Sequence, residues 1–185
     1  KALAYITKAN MIDEEMGNKS GIAANLGDIG ELYRNLNNNE KALEYNLKSL
    51  QLYKELGDKN GEARDLGNIG VVYSEQKNYS KALEYHLQAL KISEELGIKI
   101  ETAACLGDIG NIYLELSTYT NTGKHNTATL QKAKVYTDSA IQISKEIGDL
   151  NTLSVCYKQL SEIQTVLGEH SNALESYKNY TLLKD

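Results

Sequence analysis

The chain has 185 residues, 41% of them hydrophobic and 24% charged, an ordinary balance for a folded protein with a sizeable core. Its formal net charge of −5 at pH 7 argues against a nucleic-acid binder, which needs a basic face to neutralise phosphates. No apolar run approaches the roughly 18–20 residues of a membrane span, and no signal-peptide pattern opens the chain. Thirteen Tyr stand beside no Phe, Trp or Pro. The missing Pro suits an all-helical protein, because Pro in a helix interior costs about 3 kcal/mol.

Taken in order, residues 1–16 (KALAYITKANMIDEEM) align with 41–56 and with 81–96. Ala2, Ala42 and Ala82 share one position; Gly17, Gly57 and Gly97 share another. The segment 1–17 is therefore expected to be the second helix of a pair whose first helix is missing, as in a fragment begun in mid-pattern. A polar turn is expected at 18–21. A helix follows over 22–36, with Leu26, Ile29, Gly30 and Tyr33 recurring near period 3.6. Asn37 to Asn39 break it, and a partner helix over 40–56 sets Leu43, Leu47 and Leu50 on one side. Gly57 closes this pair, residues 18–57, with a left-handed cap, and the Asp that follows starts the next helix. The sequence DKNG at 58–61 lacks the ligands of a calcium loop and reads as helix capping.

A second pair, 58–97, repeats the first at a spacing of forty, with Leu66, Gly67, Ile69, Gly70 and Tyr73 in equivalent places. A fixed period of this kind marks a repeat architecture. The third pair, 98–148, keeps Leu106, Gly107, Ile109, Gly110 and Tyr113 but carries a polar insert over 117–129. Its second helix is expected to resume at Leu130, with Ala133 and Ala140 matching Ala82 and Ala89. The insert reads as a surface loop, with Tyr119 and His125 as candidate partner contacts. The fourth pair, 149–185, is degenerate: Tyr157, Leu160, Ser161 and Gln164 replace Leu, Ile, Gly and Tyr, while Ala173, Leu174 and Tyr177 keep the second helix. Glycines inside the first helices forfeit about 1 kcal/mol each relative to Ala. Close helix approach is expected to offset this, with Ala42 and Ala82 facing Gly30 and Gly70.

The set Leu66, Ile69, Gly70, Tyr73, Ala82 and Ala89 resembles the tetratricopeptide repeat, a helix–turn–helix unit of about 34 residues. Where that family usually closes its second helix with Pro, this chain has Glu94 and runs on to Gly97, giving a forty-residue variant. The resemblance implies an all-α fold: an α-solenoid of antiparallel helix pairs (a tetratricopeptide superhelix) of about four and a half repeats, in a single array over 1–185. The ending ALESYKNYTLLKD also resembles the last repeat of tetratricopeptide sensor regions in bacterial signalling kinases. That likeness implies a second role, a ligand-sensing N-terminal region of a bacterial histidine kinase or cyclase with its output domain beyond Asp185, lying in the cytoplasm or periplasm.

Chemistry-bearing residues are sparse. His86, His125 and His170 fall at unrelated repeat positions with no metal-ligand spacing, and nothing resembles a nucleophile elbow. No catalysis, metal or cofactor is expected. Cys105 and Cys156 occupy equivalent positions of neighbouring repeats. Helices so placed lie roughly 10 Å apart, beyond the ~7 Å reach of a disulfide, so free, half-buried thiols are expected.

The side of each first helix opposite its apolar stripe carries Ala24, Asp28, Glu31 and Asn35; then Arg64, Asn68, Val71 and Glu75; then Ala104, Asp108, Asn111 and Glu115; then Val155, Gln159, Glu162 and Val166. In a tetratricopeptide array these positions would line a concave groove. Six of the sixteen are acidic and one is basic, which favours a basic or polar extended peptide or protein. Asn68, Asn111 and Gln159 would hydrogen-bond its backbone. A solvated helix face is the plainer alternative. Apolar faces on the end helices would also allow homo-oligomers.

Overall fold

The structure, a computed structural model, describes residues 2–118 and 125–184, the side chains of Ala2 and Ala4 excepted. Tyr119 lies outside the described residues, as do residues 120–124 of the insert. The described residues form nine helices and no strand: α1 (Ala2–Met16), α2 (Lys19–Asn35), α3 (Asn39–Leu56), α4 (Lys59–Glu75), α5 (Tyr79–Leu96), α6 (Lys99–Thr118), α7 (Thr127–Ile147), α8 (Leu150–Val166) and α9 (His170–Leu182). They fall into two compact units, residues 1–92 and 93–185, with the division inside α5.

In the first unit α2 packs on α1, α3 and α4. Side-chain caps fix where these helices start. Asn18 Oδ1 accepts from Gly21 N at 3.2 Å and Asn38 Oδ1 from Lys41 N at 3.2 Å. Asp58 Oδ1 accepts from Asn60 N and Gly61 N at 3.0 and 3.1 Å. The expected polar turn at 18–21 is thus a single capping residue, and α2 begins at Lys19. Gly57 ends α3 with φ 70°, and Asp58 N returns to Tyr53 O at 2.9 Å, which satisfies a carbonyl that the helix end would otherwise orphan.

The interhelix core is built from small and branched residues: Ala23, Ile29, Ala42, Leu50, Ala63, Leu66, Ile69 and Val72 are all buried. Two expectations are corrected. Leu47 remains 42% exposed, because α3 turns Ala42, Asn46, Ser49 and Tyr53 inward instead. The side chains nearest Gly30 and Gly70 are Asn46 and His86, each four residues past the expected Ala. A Cβ on Gly70 would lie 2.7 Å from the His86 ring, and one on Gly30 would overlap the Asn46 amide. Each glycine is a notch for a polar side chain larger than Ala.

In the second unit α6 packs on α7 and α8, α7 on α8, and α8 on α9. Leu114, Leu130, Ala133 and Ile163 form its core cluster, with Tyr113 and Leu167 against it. Gly110 is the same notch, here filled by Thr137 Oγ1 at 2.6 Å from a would-be Cβ. Asn126 caps α7, which therefore starts at Thr127 and takes the end of the expected loop into the helix. The degenerate last pair replaces the notch by hydrogen bonds: Ser161 Oγ donates to Ala173 O at 2.9 Å and Ser176 Oγ to Gln164 Oε1 at 2.8 Å.

The tyrosines have a repeated task. Tyr33–Tyr45 and Tyr73–Tyr85 stack in the first unit at 5.4 and 5.5 Å, and Tyr113–Tyr136 in the second at 5.6 Å. Lys41, Lys81 and Lys132 each lie about 5 Å over the first ring of their pair. Such stacks contribute about 0.5–1.5 kcal/mol beyond area burial, and they staple the end of each first helix to its partner.

Candidate functional site

In the second unit the exposed sides of α6 and α8 enclose a cleft of about 400 Å³. Both helices reach it because they are first helices of their pairs, each buried on the opposite side by its Leu and Ile stripe. The α6 wall is Ala104, Gly107, Asp108 and Asn111; the α8 wall is Asn151, Thr152, Val155, Cys156, Lys158, Gln159 and Glu162. Asp149 caps α8 through Asn151 N and Thr152 N at 3.1 and 3.2 Å, which fixes the two polar residues at one end of the cleft.

Gln159 sets its polarity. The residue is only 5% exposed, and its Nε2 donates to Gly107 O at 3.3 Å. A carbonyl can be met only by the amide's nitrogen, so this bond orients the group. Oε1 makes no hydrogen bond among the described residues, and it stands in the wall as an acceptor. Gly110 makes room for this placement, since a Cβ there would sit 3.2 Å from Nε2. Charge on the rim is mostly negative, from Asp108 and Glu162, with Lys158 3.8 Å from Glu162.

The cleft brings together four of the sequence-derived groove residues, Asp108, Asn111, Gln159 and Glu162, along with Ala104 and Val155. Glu115 and Val166 are exposed but do not line it. In the first unit Asp28, Glu31 and Asn35 are exposed on α2; Arg64 and Glu75 are exposed on α4, and Asn68 and Val71 are half-buried there. Glu75 is paired with Arg34 across α2 and α4 at 3.1 Å. The acidic rows are therefore partly neutralised by cations one position away from them. Arg34, Lys158, Asn151 and Thr152 were missed because only one row per helix was followed; the Asp149 cap is the signal that would have found the last two.

Cys105 and Cys156 are free and more deeply buried than expected, at 5% and 0% exposure. Burial pushes both thiols up to about 12, helped by the nearby Asp108 carboxylate. At pH 8 the reactive thiolate is then a trace species. Iodoacetamide at that pH should leave both cysteines of the folded protein unmodified over a time that fully alkylates them in 6 M guanidinium, as read by intact mass. Among the described residues no group of three or more His, Cys, Asp or Glu is placed to hold a metal ion, and no helix is long and apolar enough to cross a membrane.

A family profile described as "Tetratricopeptide repeat" matches residues 21–95. Those residues are similar to tetratricopeptide repeats. The helix pairs on either side carry the same fold: solved structures superpose over nearly the whole chain. The apo form of RapI matches with a TM-score of 0.78 at 18% identity, over 98% of this chain and 48% of that one. A signal transduction ATPase with numerous domains from Pyrococcus horikoshii, which has a tetratricopeptide repeat sensor, matches with a TM-score of 0.76 at 21% identity, over 97% and 27%. BtubC from P. vanneervenii matches with 0.73 at 16%, over 90% and 64%. The chain thus spans 27% to 64% of the length of these structures. No curated protein matches the sequence significantly. The fold class is an α-solenoid of antiparallel helix pairs of the tetratricopeptide type.

Proposed function

We propose that these repeats form a non-catalytic binding module that receives a basic or polar extended peptide segment of a partner protein. The observation that carries this is the α6–α8 cleft, which Gln159 lines together with the acidic residues Asp108 and Glu162. A segment lying across it would meet exposed amides at Asn111 and Asn151 and apolar contact at Ala104 and Val155. Nothing in this mechanism is covalent. Rigid helices hold the donors and acceptors in place, so little ordering cost falls on the protein.

Reversing Asp108 and Glu162 to Lys should weaken capture of a lysine- and arginine-containing peptide at least tenfold in titration calorimetry, with the helical circular dichroism unchanged. Equal affinity of the variant would remove the reading. The charge part of the affinity should also fall between 50 and 300 mM salt, as screening requires. The solved ATPase whose repeats serve as a sensor supports a second reading, a receptor segment of a larger signalling protein. The complete reading frame, inspected for an output domain, decides that one.

A further inference from the structure

The sequence has one Asn–Gly pair, Asn60–Gly61, and the fold shows why the glycine is there. Gly61 is buried on α4, and a Cβ on it would lie 2.3 to 2.5 Å from atoms of the Tyr53 ring on α3. Tyr53 is 4% exposed and accepts from Arg64 Nη2 at 2.8 Å, with the guanidinium 5.5 Å from the ring centroid. Seating this tyrosine beside Arg64 therefore demands glycine at 61, and the residue before it is an exposed asparagine. That combination is chemically weak, because no Cβ shields the glycine nitrogen from the asparagine's own amide carbon.

We infer that Asn60 is a site of spontaneous deamidation whose rate is set by the Asp58 cap. Gly61 N bonds to Asn60 Cγ, passing its proton through water to the leaving Nδ2 as that bond breaks and ammonia departs. Water then adds to either carbonyl of the resulting succinimide and breaks one of its two C–N bonds, leaving aspartate or isoaspartate at 60. While the first turn of α4 is formed this attack is blocked. A helical ψ of roughly −42° points the glycine nitrogen away from Asn60 Cγ. The Gly61 N–H is also donated to Asp58 Oδ1 at 3.1 Å, beside that of Asn60 at 3.0 Å. The turn must open first, and the cap opposes that opening.

The second unit supplies an internal control. Asp149 caps Asn151 N and Thr152 N in the same way, at 3.1 and 3.2 Å, and Asn151 is exposed like Asn60. There a β-branched Thr shields the nitrogen, so Asn151 should persist. The two products at 60 differ in consequence. Aspartate adds negative charge where the helix dipole favours it. Isoaspartate inserts a methylene into the main chain before Gly61, which draws Gly61 off the Tyr53 ring and loosens the start of α4.

The test incubates the folded 185-residue chain at pH 8 and follows both asparagines by mass spectrometry of proteolytic peptides, with isoaspartate separated chromatographically. Conversion should be at least tenfold faster at Asn60 than at Asn151. Asp58→Ala should speed it about fivefold, the factor that loss of a cap of ~1 kcal/mol gives. Asp58→Ser, whose hydroxyl caps in place of the carboxylate, should stay within twofold of the parent. Circular dichroism checks that both variants remain folded. In 6 M guanidinium the parent and both variants should convert alike and faster than the folded parent. Equal rates at Asn60 and Asn151 in the folded chain overturn the inference. So does an Asn60 that stays intact while the unfolded chain converts fully, and so does a folded Asp58→Ala that converts no faster than the parent.

Discussion

Asp65→Asn is expected to stabilise the protein at pH 7 by roughly 2–3 kcal/mol. Asp65 is fully buried on α4, and burial raises its carboxyl from the ordinary 3.8 to about 6, against the opposing pull of Arg64. Its compensation is thin. Ser49 lies beside it, but the single hydroxyl proton is donated to Ala23 O at 2.7 Å, and the Arg64 contact at 3.8 Å is long for a charge-assisted hydrogen bond. The sign follows from the raised folded-state value. The fold prefers the protonated acid, so this contribution to stability is complete below about pH 3.8 and is lost as pH rises to about 6. Two pKa units correspond to about 3 kcal/mol. Asn keeps the shape without the charge, and Arg64, half exposed, stays hydrated when its partner is neutralised. Urea denaturation of both proteins at pH 4.5 and 7 measures the effect: the gap between them should be large at pH 7 and shrink at pH 4.5. Parallel curves at both pH values would show that the buried carboxylate is not under strain.

Gly30→Ala should destabilise by about 1–3 kcal/mol, although Ala is the better helix former by about 1 kcal/mol. The new methyl would collide with the Asn46 amide. Asn46 is enclosed on α3 at 1% exposure, and neither polar atom of its amide finds a hydrogen-bond partner among the described residues, so it has little room to retreat. The same amide makes the compensating change informative. Asn46→Ala alone removes two buried unsatisfied groups, each worth about 1–3 kcal/mol, but opens a cavity of comparable cost; a net change within about 1 kcal/mol is expected. Combined with Gly30→Ala, it fills that cavity with the new methyl. The double variant should be at least as stable as the parent, a strongly non-additive result. In a domain of this size each kcal/mol moves Tm by about 2–4 °C, so calorimetry resolves the three variants. Additive losses would show that Gly30 and Asn46 do not share one space.

Much of the fold was legible because a repeat states its own alignment. Gly57 and Gly148, each one residue before a capping Asp, fixed the helix ends, and the stripe of Leu26, Ile29 and Tyr33 fixed which side is buried. Backbone capping and hydrophobic period are local properties, readable a few residues at a time. The length of the loop in the third pair was less so, since Asn126 starts α7 ahead of the apolar pattern. The choice of partner for each glycine notch could not be read at all. Ala42 and Asn46 lie on the same side of α3, and only the closeness of α2 determines which of them meets Gly30.

The same division holds for the site. Periodicity alone selected Asp108, Asn111, Gln159 and Glu162 as neighbours on exposed sides of first helices, because a 3.6-residue turn determines direction from the helix axis. It could not show that Val155 and Cys156 of α8 border a cleft together with Ala104 and Gly107 of α6. Nor could it show that Gly107 O accepts from the Gln159 amide, or that Arg34 offsets Glu75. Those outcomes depend on side-chain volume and hydrogen-bond geometry between helices forty or more residues apart, and the packed fold alone brings them within reach of one another.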